Sequence, residues 1–332
     1  MTPLDDLLFS LNTVFPLLVM MAAGFGARAA GWVSESSARQ LNACVFRIFL
    51  LFAIGFTTLL LQRNLIKKII GFNIMDTELG ASVDLRTLLY ALVTTLLCFG
   101  ALFLMVPRLC RERAACGVMI QGIARSNYAI FGIPLVMMMY PDADTSIAVL
   151  MVAAIVPVFN VMSTIALMMF SDHRASAGDM IKGILLNPLI LGTAAGFLLW
   201  QLHVPLPGLI ETPLRKLAGI ATPLALFLLG ASLDFRKARD HLKLITISVL
   251  GRLVAVPLLF LSIAVALGIR DVSLAALIAV YASPTSVSSF PMAQQMGCNG
   301  DLAGGQVVFT TVFSILTVFL WVFALKSLGY LS

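Results

Sequence analysis

Arg125-Ser126-Asn127 stands about eleven residues into the apolar stretch 114–139, so in a membrane-spanning helix its guanidinium would lie roughly 16 Å deep. A cation at that depth costs on the order of 3 kcal/mol on insertion scales and needs a partner or a water-filled cavity. The chemistry that suits it is capture of an organic anion: the planar fork of an arginine matches a carboxylate, and Ser126 and Asn127 add donors beside it. The competing role for Arg125 is to cap freed backbone carbonyls or to snorkel. Snorkelling is the expectation for Arg47 and Arg252, which sit nearer the cytoplasmic ends of their stretches. Gln121 and Asn160 are strong polar groups in apolar surroundings, suited to solute contact or to an interhelical hydrogen bond. Ser283, Thr285, Ser286, Ser288 and Ser289 offer hydroxyls, of which one or two are expected to reach a solute, because hydroxyls in membrane helices often bond their own backbone.

These residues fall in two segments that share a frame. Ser126 to Pro134 and Ser283 to Pro291 each open on Ser and close on Pro eight residues later, with polar or small residues between. Pro134, Pro284 and Pro291 each remove a backbone donor, and an unpaired backbone group in lipid costs several kcal/mol unless it faces protein or water. Two broken helices at equivalent points suggest a solute site.

The elements that must position this site are membrane helices. The chain has 332 residues, 60% of them hydrophobic and 11% charged, with a mean hydropathy of +1.00, which excludes a soluble single-core domain. A span needs roughly 20 mostly apolar residues. Such stretches run over 8–30, 40–61, 86–106, 114–139, 146–170, 181–201, 213–232, 244–267, 272–296 and 303–327. The acidic start, Met1-Thr2-Pro3-Leu4-Asp5-Asp6, points to a retained first helix rather than a secretory signal. Arg28, Arg39, Arg108, Arg111, Arg113, Arg174, Lys182 and the basic cluster 236–243 put the odd loops in the cytoplasm and both termini outside it, with Arg63, Lys67 and Lys68 of the second loop as the exception. In the long loop 62–85, Leu65, Ile66, Ile69, Ile70 and Phe72 beside Lys67 and Lys68 suit a helix lying in the interface, or a loosely structured loop.

Several function classes are excluded. Net charge +6 is spread over loops rather than gathered on a face, so no nucleic acid is expected. Cys44, Cys98, Cys110, Cys116 and Cys298 form no CxxC pair, so neither a disulfide framework nor a metal site is expected, and no cofactor. All 16 acidic residues, with His173, His203 and His241, lie in loops or at span ends, which argues against a side-chain proton relay. Sodium on unwound backbone carbonyls stays open. No phosphate loop, HExxH, GxSxG or GxGxxG before a helix is present, and the chain does not read as an enzyme.

Pro16 to Phe25 in the first stretch recurs with the same spacing as Pro188 to Phe197 in the sixth, each ending Ala-Ala-Gly-Phe. The fourth and ninth share the Ser-to-Pro frame. In the fifth, Val156, Asn160, Val161 and Ser163 fall opposite Val307, Thr311, Val312 and Ser314 of the tenth. The chain therefore reads as two five-helix repeats, 1–170 and 181–332, joined by a cytoplasmic linker at 171–180, the second inverted relative to the first.

Several motifs along these stretches belong together. They are Leu41-Asn42 through Phe49-Leu50, Ser126-Asn127 through Pro134, Asn187-Pro188, Thr222-Pro223-Leu224-Ala225, Leu229-Gly230-Ala231-Ser232-Leu233, Arg252-Leu253 with Pro257, and Ser283-Pro284 with Pro291 and Ala293. In this combination the chain resembles the auxin efflux carrier family of PIN-like and bacterial malonate carriers. The resemblance implies an all-α integral membrane fold of ten transmembrane helices, two inverted five-helix repeats with crossed, proline-broken helices four and nine. It implies scaffold helices at 8–61 and 181–232, a homodimer through them, and transport helices at 86–170 and 244–327. Solute would bind at the crossing, where Asn127, Pro134, Pro284 and Pro291 match the family's pattern and Asn160 matches a polar position on the fifth span. Leu51 departs from it, standing where the family often has proline. The reading that follows is a secondary transporter moving a small organic anion, a mono- or dicarboxylate, across a bacterial inner membrane by an elevator-like shift. Arg125, Ser126, Asn127, Gln121, Asn160, Ser283, Thr285 and Ser286 would surround the solute. The alternatives are a sodium-coupled anion symporter of the bile-acid type and a membrane sensor that binds solute without moving it.

Overall fold

Long apolar runs become helices, and polar side chains mark where several begin. The computed structural model describes residues 3–55, 84–110, 112–140, 146–171, 177–202, 207–233 and 239–331. The interfacial helix expected in 62–85 and the centre of the linker fall outside these residues, Asp84 and Leu85 apart. In chain order the helices are α1 (Pro3–Ala29), α2 (Glu35–Gly55), α3 (Leu85–Leu109), α4 (Arg113–Ala124), α5 (128–139), α6 (Ser146–Phe170), α7 (Ala177–Leu185), α8 (Pro188–Gln201), α9 (Gly208–Ser232), α10 (Leu242–Ala266), α11 (Asp271–Tyr281), α12 (Ser289–Gln295) and α13 (Gly300–Ser327). The Ser34 hydroxyl accepts from Ser37 N at 3.1 Å, the Asp84 carboxylate from Thr87 N at 3.0 Å, and Asn299 Oδ1 from Leu302 N at 2.9 Å, capping α2, α3 and α13.

Among the described residues, α2, α3, α9, α10, α13 and the Leu150–Phe170 part of α6 are long and apolar enough to cross a membrane. The other four expected stretches are helical but short or interrupted. The apolar part of α1 is Phe15–Ala29, a turn separates α7 from α8, and α4/α5 and α11/α12 are each broken in the middle.

Without a hydrophobic force between them, helices in lipid approach closely where residues are small. A Cβ built on Gly24 of α1 would lie 1.8 Å from the Phe227 carbonyl oxygen of α9, and one on Gly230 of α9 would lie 1.9 Å from that of Met21. The α2–α8 contact is similar, where a Cβ built on Gly192 would lie 2.5 Å from the Leu51 carbonyl oxygen. Gly230→Val is therefore expected to cost about 2–3 kcal/mol through forced separation of α1 and α9, read as a lower melting temperature in detergent.

Loop residues gather at two ends. Asn299 Nδ2 donates to Glu112 Oε1 at 2.8 Å and lies 3.2 Å from His241 Nε2, joining the starts of α13, α4 and α10. At the other end Asp84 accepts from Ser273 Oγ at 2.6 Å, and the Arg270 guanidinium lies 4.5 Å from the centre of the Tyr330 ring. Burial alone would raise the Asp84 carboxyl, but hydrogen bonds from Ser273 and Thr87 outweigh it and hold it below the usual carboxylate value. A lowered folded pKa stabilises the fold at neutral pH, and that contribution is lost as pH falls through it. Asp84→Ala is expected to cost about 1 kcal/mol as a lost helix cap, and a melting curve taken against pH should show the difference from wild type shrinking in acid.

Candidate functional site

Helix α4 stops at Ala124 because Arg125 turns to extended backbone, φ −86° and ψ 114°. Helix α11 stops at Tyr281, just before Pro284. Each interruption frees backbone groups that must be paired away from water, and the two pair with each other. Ser126 and Thr285 form an antiparallel bridge, with Asn127 N donating to Pro284 O at 2.8 Å and Ser286 N to Arg125 O at 3.3 Å. Thr285 N donates to Thr310 Oγ1 at 3.1 Å, and Thr285 Oγ1 to Gly122 O at 2.7 Å. Pro284 lies inside its break. Pro291 instead occupies the first turn of α12, where a missing N–H is cheap, and Pro134 stands within α5, just after its π-helical turn Tyr128–Gly132.

Arg252 corrects the sequence reading. It does not snorkel: it is 0% exposed, in a single π-helical turn, Gly251–Ala255, of α10. Its Nε donates to Ser283 O at 2.8 Å, Nη1 to Ile123 O at 3.2 Å and Ala124 O at 3.1 Å, and Nη2 to Val280 O at 2.6 Å. Arg252 thus takes the carbonyl-capping role weighed for Arg125.

Arg125 is 3% exposed and projects to the other side of the crossing. Its Nη2 donates to Asn160 Oδ1 and Ser288 Oγ, each at 2.8 Å, and Nη1 meets the Met292 sulfur at 3.1 Å. All three partners are neutral, and two of its five N–H donors are left over. No Asp or Glu is buried among the described residues. Of the neighbouring side-chain atoms without a protein partner, Asn127 Nδ2, Asn160 Nδ2 and the Ser126 hydroxyl can donate, whereas Gln121 Oε1, whose amide shares the Met292 sulfur with Arg125, can only accept. The Arg125 bond fixes which amide atom of Asn160 is oxygen.

Beside these donors lies a cavity of about 140 Å³. Its polar side is Arg125, Ser126, Asn127, Thr222, Ser286 and Ser288. Its apolar walls come from α2 (Leu50, Ala53, Ile54), α6 (Val152 to Phe159) and α9 (Ala225). An unpaired cation, surplus donors and an apolar chamber can together hold an anion whose body is apolar.

Of the residues expected around a solute, Arg125, Ser126, Asn127 and Ser286 line this cavity, and Asn160 joins it through Arg125. Gln121 is fully buried against the Met292 sulfur at 3.4 Å, and Ser283 turns its hydroxyl onto Ala279 O. Thr285 is likewise committed to Gly122. Ser288, one of the five hydroxyls of which one or two are expected to reach a solute, also lines the cavity, whereas Thr222 and Met292 are neighbours that the sequence reading left out of the site. Nothing in the sequence placed Thr222 or Met292.

A comparison with curated proteins finds no match. The family model described as a membrane transport protein matches residues 9–322 of the 332, nearly the whole chain, including both broken segments and every residue of the cavity. The chain therefore belongs to the membrane transport protein family, that of the auxin efflux carriers, whose members are transporters rather than enzymes.

Proposed function

We propose that the protein carries a small organic anion with one carboxylate and an apolar body, which Arg125 binds at the crossing. The observation that carries this reading is the Arg125 guanidinium, buried with neutral partners only, with three donors of Ser126, Asn127 and Asn160 beside it in need of an acceptor. A carboxylate supplies the missing acceptors and the missing negative charge. Asn127, Asn160 and Ser126 would share its oxygens, with Ser286 and Ser288 at the rim. Among the described residues no second cation lines the cavity, which favours a monocarboxylate over a dicarboxylate such as malonate. A chamber of this size suits a branched alkyl or single-ring body, since an apolar cavity of about 150 Å³ accepts benzene.

The same reading takes the chain as ten spans in two inverted repeats, in a bacterial inner membrane with both termini outside the cytoplasm. The gathering of Glu112, Asn299 and His241 at one end and of Asp84, Ser273 and Tyr330 at the other supports it, as does the mutual pairing of the two breaks. The cavity lies between α2 and α9, expected scaffold helices, and α6 with the crossing, expected transport elements. That placement supports an elevator-like shift of the transport helices, in which the Asn42–Gln294 and Asn187–Thr164 hydrogen bonds across the boundary would break and re-form.

Uptake into proteoliposomes tests the proposal with labelled phenylacetate, isovalerate, malonate, benzylamine and benzyl alcohol. Saturable uptake of the monocarboxylates, with malonate weaker and the amine and alcohol inactive, is expected. Uptake confined to the amine or the alcohol would overturn the anion reading, and malonate as the best substrate would overturn the single-carboxylate part.

A further inference from the structure

We infer that Arg252 is a tethered cation occupying the place where a coupling ion would sit, so that the crossing closes without sodium or potassium. Helices α4 and α11 both end at the crossing, and both point their C-terminal ends at it. Each helix C-terminus carries roughly half a negative charge on carbonyls that lack a partner. The four carbonyl oxygens concerned, of Ile123, Ala124, Val280 and Ser283, converge on one point from two chain segments more than 150 residues apart. Converging carbonyls at half-helix C-termini are the oxygen ligands that bind a hard monovalent cation in transporters with broken helices. Here a single positive charge, roughly equal to the two half charges together, is delivered by a side chain of α10.

The local structure of α10 serves this delivery. The π-helical turn at Gly251–Ala255 interrupts the regular ladder, and Gly251 packs against Ile123, its Cβ position 3.3 Å from that side chain. Arg252 therefore follows at the level of the α4 terminus. Arginine also differs from a diffusing ion in the number of directions it can serve: its fork meets four acceptors at once, at 2.6–3.2 Å. The assignment concerns Arg252 and these carbonyls alone and stands whichever solute fills the cavity on the other side of the crossing.

The experiment is thermal melting of purified protein in detergent, with sodium, potassium, methylguanidinium or N-methylglucamine chloride at equal ionic strength. Wild type is expected to melt at the same temperature in all four. Arg252→Ala is expected to melt lower in N-methylglucamine and to regain several degrees, saturably, in millimolar methylguanidinium, with a smaller gain in sodium or potassium. A residue that merely packs would not be rescued by a free cation. Arg252→Lys keeps the charge with three donors, and is expected to melt between the two and to ignore added cations. A saturable sodium- or potassium-specific stabilisation of wild type overturns the inference. So does a monodisperse Arg252→Ala protein whose melting no cation shifts. If Arg252→Ala yields no folded protein, the wild-type comparison decides alone. Because none of these measurements uses solute, a failure here is separate from a failure of the anion reading.

Discussion

Arg125→Ala is expected to weaken binding of the carboxylate solute by about 100-fold or more, and Arg125→Lys by about 10-fold, while Arg125→Ala leaves the melting temperature unlowered. The binding loss follows from the charge-assisted hydrogen bonds removed, each worth about 1.5–3 kcal/mol. Lysine restores the charge as a point donor without the planar fork, and its shorter reach cannot hold Asn160 and Ser288 together. The stability half of the prediction is the more diagnostic. Arg125 sits in the apolar interior with no carboxylate beside it, so its neutralisation recovers desolvation cost, offsetting the lost bonds to Asn160 and Ser288. Arg125→Met should therefore melt at or above the wild-type temperature, as substitutions at functional positions often do. Binding would be followed by scintillation proximity with a labelled monocarboxylate, and stability by intrinsic fluorescence in the same buffer. Unchanged affinity in Arg125→Ala would remove its assigned role.

Arg252→Met should do the opposite, destabilising the protein by about 4 kcal/mol or more and leaving little folded material. Both arginines are buried, but Arg252 satisfies four carbonyls, and each buried acceptor left unpaired costs about 1–3 kcal/mol. Methionine fills much of the volume and supplies none of the donors. The loss should appear as a lower melting temperature and lower yield after detergent extraction, with solute affinity of the surviving folded fraction nearly unchanged. A variant as stable as wild type would mean that water or backbone rearrangement satisfies those carbonyls.

The contrast between these residues shows what the sequence made legible. Depth in an apolar stretch and the neighbouring Ser-Asn pair singled out Arg125, and the shared Ser-to-Pro frame located both breaks, since proline chemistry is local. Asn160 was legible as a polar residue in an apolar run. The role of Arg252 was not, because it depends on α10 crossing behind two breaks more than 100 residues from one another, and on a π-helical turn that no composition announces. Its position near a span end favoured snorkelling, and tertiary pairing with carbonyls prevailed. The hydroxyls divided for a similar reason. Thr285 and Ser283 face backbone oxygens within reach, whereas Ser286 and Ser288, one turn on, face the cavity, and residue type alone does not tell one direction from the other. Gln121 likewise had the right chemistry on the wrong side of α4.

The absence of a buried carboxylate among the described residues also has an electrical consequence. In the elevator-like shift proposed above, displacement of the crossing along the membrane normal would carry both guanidinium charges through the transmembrane field. A charge that traverses the whole field is worth about 2.3 kcal/mol per 100 mV. A bound monoanion cancels one of the two. The empty and loaded forms therefore feel different forces, and a negative-inside voltage pulls the empty form toward the cytoplasm harder than the loaded one. The resting voltage of the cell would then set which step of the cycle is slow, without any ion being carried alongside the solute.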